Sequence, residues 1–200
     1  LAVLGGSAAL GDWLARHPEM WRELVAETTS TTRPSRFGLN AELLRAVDGL
    51  TGRDAYDALR VGYRRALLGL AARDISGQVA FDDVAAELTD LADATLGAAL
   101  RIAEAEHPSD ARLAVIAMGK CGGRELNYVS DVDVIFVAEP AEETAAATAV
   151  AAAMIRGCSE VSAEGTIWPV DAALRPEGKS GPLVRTLASH VGYYQRWAHT

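Results

Sequence analysis

Two hundred residues, half of them hydrophobic, suffice for one large domain or two small ones with sizeable cores, so disorder is not the default reading. A formal net charge of -8, an isoelectric point near 5.0 and the lack of a dense Lys/Arg run argue against a nucleic-acid-binding surface, leaving a small ligand or a protein as the expected partner. Cys121 and Cys158 supply no disulfide framework and no CxxC metal knuckle, which fits a reducing, cytoplasmic compartment, and no leader or run near the ~20 apolar residues of a bilayer span suggests a membrane role.

In chain order the first signals are helical: LGDWLARHPEMWREL, then NAELLRAV, TGRDAYDALRVGYRRALLGLAARDI and FDDVAAELTDLADATLGAALRIAEAE. In the last, Val84, Leu88, Leu91, Leu96, Ala99 and Ala103 share a face at helical spacing and predict packing against neighbouring helices. Asp12, Asn40 and the pair Asp82 and Asp83 stand where side-chain oxygens or negative charge satisfy helix N-termini. TTSTTRPSRFG, residues 28–38, is polar, aperiodic and proline-containing, and reads as a loop.

After HPSD the character changes. LAVIAM predicts a strand entering a glycine loop, DVDVIFVAEP a second strand, EETAAATAVAAAMIRGCSEV a helix, TIWPVDAALRP a third strand and LASHVGYYQRWAHT a final helix. The expected organisation is an all-helical region, 1–107, followed by a small α/β unit, 108–200. Because the chain opens at Leu1 without Met and stops within an amphipathic segment, a longer parent protein is expected.

Chemistry concentrates in GKCGGRELNYVSDVDVIF. Alternation along a strand sends Asp131 and Asp133 to one face and Val132 and Val134 to the other. Two carboxylates so placed repel unless a cation lies between them, which points to Mg²⁺ or Mn²⁺ with hard oxygen ligands. Asp171 interrupts another apolar run, and three aspartates from two neighbouring strands would complete a two-metal site for phosphoryl or nucleotidyl transfer, with one acid activating the nucleophile. Upstream, Gly119, Gly122 and Gly123 allow backbone N–H groups to approach an anion, and Lys120 and Arg124 add positive charge. The glycines alone are also compatible with an ordinary turn, and a single aspartate at a strand start with a cap. The loop fits neither the GxxxxGK[ST] phosphate loop nor the GxGxxG dinucleotide spacing. The histidines, His17, His107, His190 and His199, form no ligand pattern, and surface or helix-end roles are expected for each.

MGKCGGRELNYVSDVDVIF, together with DAALRPEGKSGPLVRT and the helical text LRVGYRRALLGLAARDISG and LTDLADATLGAAL, resembles the bifunctional glutamine-synthetase adenylyltransferase and adenylyl-removing family of the nucleotidyltransferase superfamily. The resemblance implies an α+β protein, a helical region followed by a DNA polymerase β-like palm with a small mixed sheet. It implies that Asp131, Asp133 and Asp171 bind metal and carry catalysis, and that Ser130 and residues 119–124 hold phosphate. Arg175 and Lys179, just past the third acid, become candidates for phosphate oxygens or the partner protein, the alternative being a solvated turn. In that family ELN before SDxD marks the N-terminal, adenylyl-removing half and ELG the transferring half; Glu125, Leu126 and Asn127 give ELN. The implied reaction is phosphorolysis: phosphate attacks the AMP carried on a tyrosine of adenylylated glutamine synthetase, and ADP leaves. Implied partners are glutamine synthetase, phosphate and an adenine nucleotide, with a nitrogen-signalling regulatory protein and glutamine as further ones. Adenylylation with ATP and a non-catalytic sensor module are the alternatives. Cys121 stands where relatives often show an aliphatic residue; as a small hydrophobe it substitutes for one, and a lowered pKa would be needed to make it reactive.

Overall fold

The computed structural model describes residues 2–25 and 33–197. Among the described residues three short helices come first, α1 (Ala2–Gly6), α2 (Ala8–Arg16) and α3 (Trp21–Val25). Three longer ones follow: α4 (Arg36–Val47), α5 (Gly52–Ile75) and α6 (Phe81–Glu106). Then come β1 (Arg112–Ala117), the single turn α7 (Gly119–Gly122), β2 (Val132–Glu139), α8 (Thr144–Ser159), β3 (Val170–Asp171), β4 (Val184–Arg185) and α9 (Leu187–Trp197). The fold is α+β, mostly helical with one small mixed sheet.

The continuous helix signal from Leu10 to Leu24 is broken in the structure at Pro18. Proline lacks the N–H that would bond four residues back and disfavours the helical region at the residue before it; His17 accordingly sits at φ -121, ψ 64, ending α2. Asp12 lies inside α2 and does not cap it: Ser7 does, accepting from Leu10 N–H at 3.3 Å. Asn40 likewise lies inside α4, which starts at Arg36 with Ser35 accepting from Gly38 N–H at 3.0 Å. The predicted loop therefore ends before Arg36, and its residues 28–32 lie outside the described residues. Asp82 and Asp83 occupy the first turn of α6 as expected, where their charge complements the helix N-terminus.

α6 is the central pillar, packed against α4, α5 and α8. Val84, Leu88, Leu91, Leu96, Ala99 and Ala103 are all buried, and so are Thr89 and Thr95, whose hydroxyls donate to Ala85 O and Leu91 O. One hydrophobic core runs from Trp13 through α4, α5 and α6 to the sheet.

In the sheet, β1 pairs antiparallel with β2, and β3 and β4 both pair parallel with the other edge of β2. β3 meets β2 at Val132 and Asp133; β4 meets it at Phe136 and Val137; residues 172–183 loop out between them. The third strand predicted from TIWPVDAALRP thus contracts to two residues, since Pro169 and Pro176 cannot donate to a ladder. β2 places Val132, Val134, Phe136 and Ala138 in the core, each at most 1% exposed, and turns its odd-numbered residues to the other face.

Candidate metal centre

Period-two alternation carries Asp131 and Asp133 to the open face of β2, and the parallel register sets Asp171 directly opposite Asp133. One carboxylate oxygen from each of the three residues lies within 4.8 Å of those of the other two. Asp171 Oδ1 also accepts from Ala173 N–H at 2.7 Å, which fixes its side chain. Burial pushes the Asp133 carboxyl above its ordinary value; the charges of Asp131 and Asp171 push the same way, and Lys120 partly offsets them. An all-oxygen donor set crowded against its own repulsion fits a hard divalent cation, whose charge relieves that crowding.

The loop before β2 abuts this cluster. Met118 N–H donates to Asp133 O at 2.8 Å, and Gly119 follows at φ 51, a left-handed conformation. A Cβ at Gly119 would stand 2.4 Å from Asp133 Oδ2, so glycine is required here twice over, for conformation and for approach. At Gly122 a Cβ would stand 2.7 Å from Ala117 O, so this glycine lets the turn close onto β1.

The predicted phosphate residues fare unequally. Gly122 and Gly123 do not present free amides: their N–H groups donate to Met118 O at 2.8 Å and Gly119 O at 3.0 Å, because the expected loop is a helical turn. Arg124, itself left-handed at φ 60, lies 3.0 Å from Asp90 Oδ1 of α6 and lines a cavity of about 440 Å³ with Arg36, Asp93 and Leu96. Lys120 remains exposed beside the triad, and Ser130 is half-buried just before Asp131. Arg175 is taken up by its own loop, donating to Ala172 O at 2.7 Å and to Gly181 O and Lys179 O. A guanidinium held by backbone carbonyls braces residues 172–181, so a phosphate would have to compete with those bonds. Lys179 is exposed on the turn Gly178–Ser180; Glu125 and Asn127 are exposed between α7 and β2.

Cys121 is buried, and burial with Asp93 and Asp133 pushes its thiol up to about 11, the opposite of an activated thiolate. Among the histidines, His17 ends α2 and stacks on Trp13, and His107 follows α6, as expected. His190 departs from expectation: α9 packs against β2, and this residue is 6% exposed. His199 lies outside the described residues. Sequence reasoning missed Asp90, buried on α6 and paired to both Arg33 and Arg124; read alone, it is one more acid on a helix.

The fold and the centre define a mixed α+β protein whose sheet presents three carboxylates able to hold a divalent cation. The chain belongs to the glutamate-ammonia ligase adenylyltransferase family, whose model matches residues 1–200. It is 57% identical to the bifunctional glutamine synthetase adenylyltransferase/adenylyl-removing enzyme of Streptomyces avermitilis over 209 residues, and 56% and 50% identical to those of Streptomyces coelicolor and Mycobacterium tuberculosis. Each match covers 100% of this chain and 20% of the relative, so the chain spans about a fifth of the length of these curated relatives. Among the described residues, no helix is long and apolar enough to cross a membrane.

Proposed function

We propose that this chain belongs to the half of its parent that removes AMP from adenylylated glutamine synthetase by phosphorolysis in the cytoplasm. The observation that carries the reading is the convergence of Asp131, Asp133 and Asp171 beside a turn pressed against Asp133. In the reaction a phosphate oxygen bonds to the α-phosphorus of the AMP group; the bond to the tyrosine oxygen breaks, and that oxygen takes up a proton as ADP is released. Mg²⁺ or Mn²⁺ held by the three aspartates would offset the approach of one phosphate to another and stabilise the departing tyrosine oxygen. Asp171 is oriented for this by Ala173 N–H, Gly119 leaves room for Asp133, and Lys120 supplies a positive charge beside them. Between Glu125 and Ser130 the exposed residues Glu125, Asn127, Tyr128 and Val129, the last 93% exposed, are open to a macromolecular partner.

The names of the relatives carry both a transferring and a removing activity, and Asn127 in the ELN motif favours removal. The parent protein, given adenylylated glutamine synthetase, Mg²⁺ and phosphate, should release ADP. Release of ATP that depends on pyrophosphate would show instead that this half runs the transferring reaction. A sensor without chemistry would keep full turnover after Asp131→Asn and Asp133→Asn. Sensing of glutamine or of a nitrogen-signalling protein belongs, in this reading, to the parent.

A further inference from the structure

Asp171 reaches the centre on a weak strand. Residues 160–169, which lead to it from α8, hold one isolated bridge, Ser162 with Gly165, and a bond from Ile167 N–H to Cys158 O at 3.2 Å. β3 itself adds two register pairs and a bond from Val132 N–H to Pro169 O at 2.9 Å. So short a strand does not fix its own position, and the rest must come from elsewhere.

It comes from the helical region. Arg60 of α5, 2% exposed, donates to Gly157 O at 2.7 Å and to Glu160 O at 3.0 Å, at the start of the connection. At its tip, Arg16 of α2 donates to Ala163 O, and His17 Nε2 lies 2.7 Å from Glu164 Oε2. One helical turn beyond Arg60, Arg64 donates to Thr166 O at 3.0 Å, and Tyr63 packs edge-on against Trp168 with ring centroids 4.8 Å apart. Gly165 adopts φ 89, and a Cβ there would stand 3.1 Å from Arg64 Nη2, so the guanidinium lies directly against the glycine.

We propose that Arg64 is a positioning residue for the metal centre: by holding Thr166 O it sets where the third carboxylate, Asp171, stands opposite Asp133. Of the three clamping arginines, Arg64 grips the carbonyl nearest Asp171 in the chain, beyond the hairpin tip. The inference rests on reading the triad as the metal centre of the adenylyl-removing half, and assigns to a helix outside the sheet a share in building it. The role asks for a planar donor directed at one carbonyl, which lysine reproduces only in part.

Two readouts on the 200-residue chain test this. In Mn²⁺ titrations Arg64→Ala should weaken binding roughly tenfold, the low end for a residue that orients a metal ligand, with Arg64→Lys in between. In an Asp171→Asn background Arg64→Ala should cost nothing further, because the residue acts through that carboxylate. In metal-free protein, hydrogen exchange at the Val132 and Ala173 amides should quicken in Arg64→Ala while the amides of α6 keep their protection. Gly165→Ala, which crowds the guanidinium without removing it, should reproduce the same pattern should Arg64→Ala fail to fold. The proposal is overturned if Mn²⁺ binding and the two amides are unchanged, if the loss adds in full to that of Asp171→Asn, or if exchange rises equally across α6. Should the unaltered chain bind no Mn²⁺, the metal reading fails, while the amide measurement still decides whether Arg64 positions Asp171.

Discussion

Charge is treated in opposite ways in the helical interior and on the partly open face of the sheet. In the helices it is matched: Arg73 of α5 and Glu87 of α6, each 4% exposed side chains, form a two-bonded ion pair, and Asp90 receives both Arg33 at 2.8 Å and Arg124 at 3.0 Å. On the sheet three carboxylates face one another, offset in part by Lys120. Matched charge holds elements together; the clustered acids oppose the fold that presents them. A cation would relieve such an arrangement, and among the described residues these three aspartates form a group that could hold one.

The largest break in this contrast lies in the helices. Arg73→Met leaves Glu87 charged and unpaired in the interior, and should destabilise by roughly 3–5 kcal/mol. For a domain of this size that lowers the melting temperature by roughly 10 °C. Adding Glu87→Leu should restore most of the loss, since a matched pair contributes little beyond an apolar replacement of similar shape. Thermal melts of the single and double variants decide this, and a single variant melting like the unaltered protein would remove the distinction between the regions.

A smaller effect is expected at the seam between turn and sheet. Gly119→Ala places an L side chain at φ 51, costing about 1–2 kcal/mol for the backbone alone, and sets its Cβ 2.4 Å from Asp133 Oδ2. Mn²⁺ affinity should fall by about tenfold or more as Asp133 is pushed aside. Gly123→Ala is the control, with the nearest atom 3.4 Å away and an ordinary φ of -80, and should bind Mn²⁺ like the unaltered chain.

The two regions also differ in how far they could be read from the sequence. α5 and α6 were legible almost to the residue, because long amphipathic segments repeat their signal many times. The start of α4 was misplaced because Ser35 and Asn40 are both good caps, and Arg36, which bonds Asp93 of α6 at 2.8 and 2.9 Å, gains that contact only in the folded chain. β4 was missed altogether: two residues carry no periodicity, and they form a strand only because residues 172–183 return the chain to β2. At the centre, the common face of Asp131 and Asp133 followed from strand alternation, and Asp171 stood out as an acid interrupting a neighbouring apolar run; the family resemblance then implied the same three residues. Arg175 and Arg64 show the limit, since their partners are backbone carbonyls, which every residue offers and no spacing reveals.

The smallest effect tests the contrast most directly. With its carboxyl pushed up by burial and by Asp131 and Asp171, Asp133 holds a proton more readily folded than unfolded. The folded state is therefore penalised above that raised range, and the penalty is relieved as pH falls through it. Asp133→Asn removes the charge and keeps the shape, so the metal-free variant should melt slightly above the unaltered chain at neutral pH. The gain should shrink on acidification. Mn²⁺ should reverse the order: a ligand at about 100 times its dissociation constant adds about 2.7 kcal/mol to the protein that binds it, and the variant forgoes that. A crossing of the two melting temperatures on adding metal would mean that the repulsion is kept for the ion. Parallel shifts, or none, would make the three aspartates ordinary surface charge and leave the sheet no different from the helices.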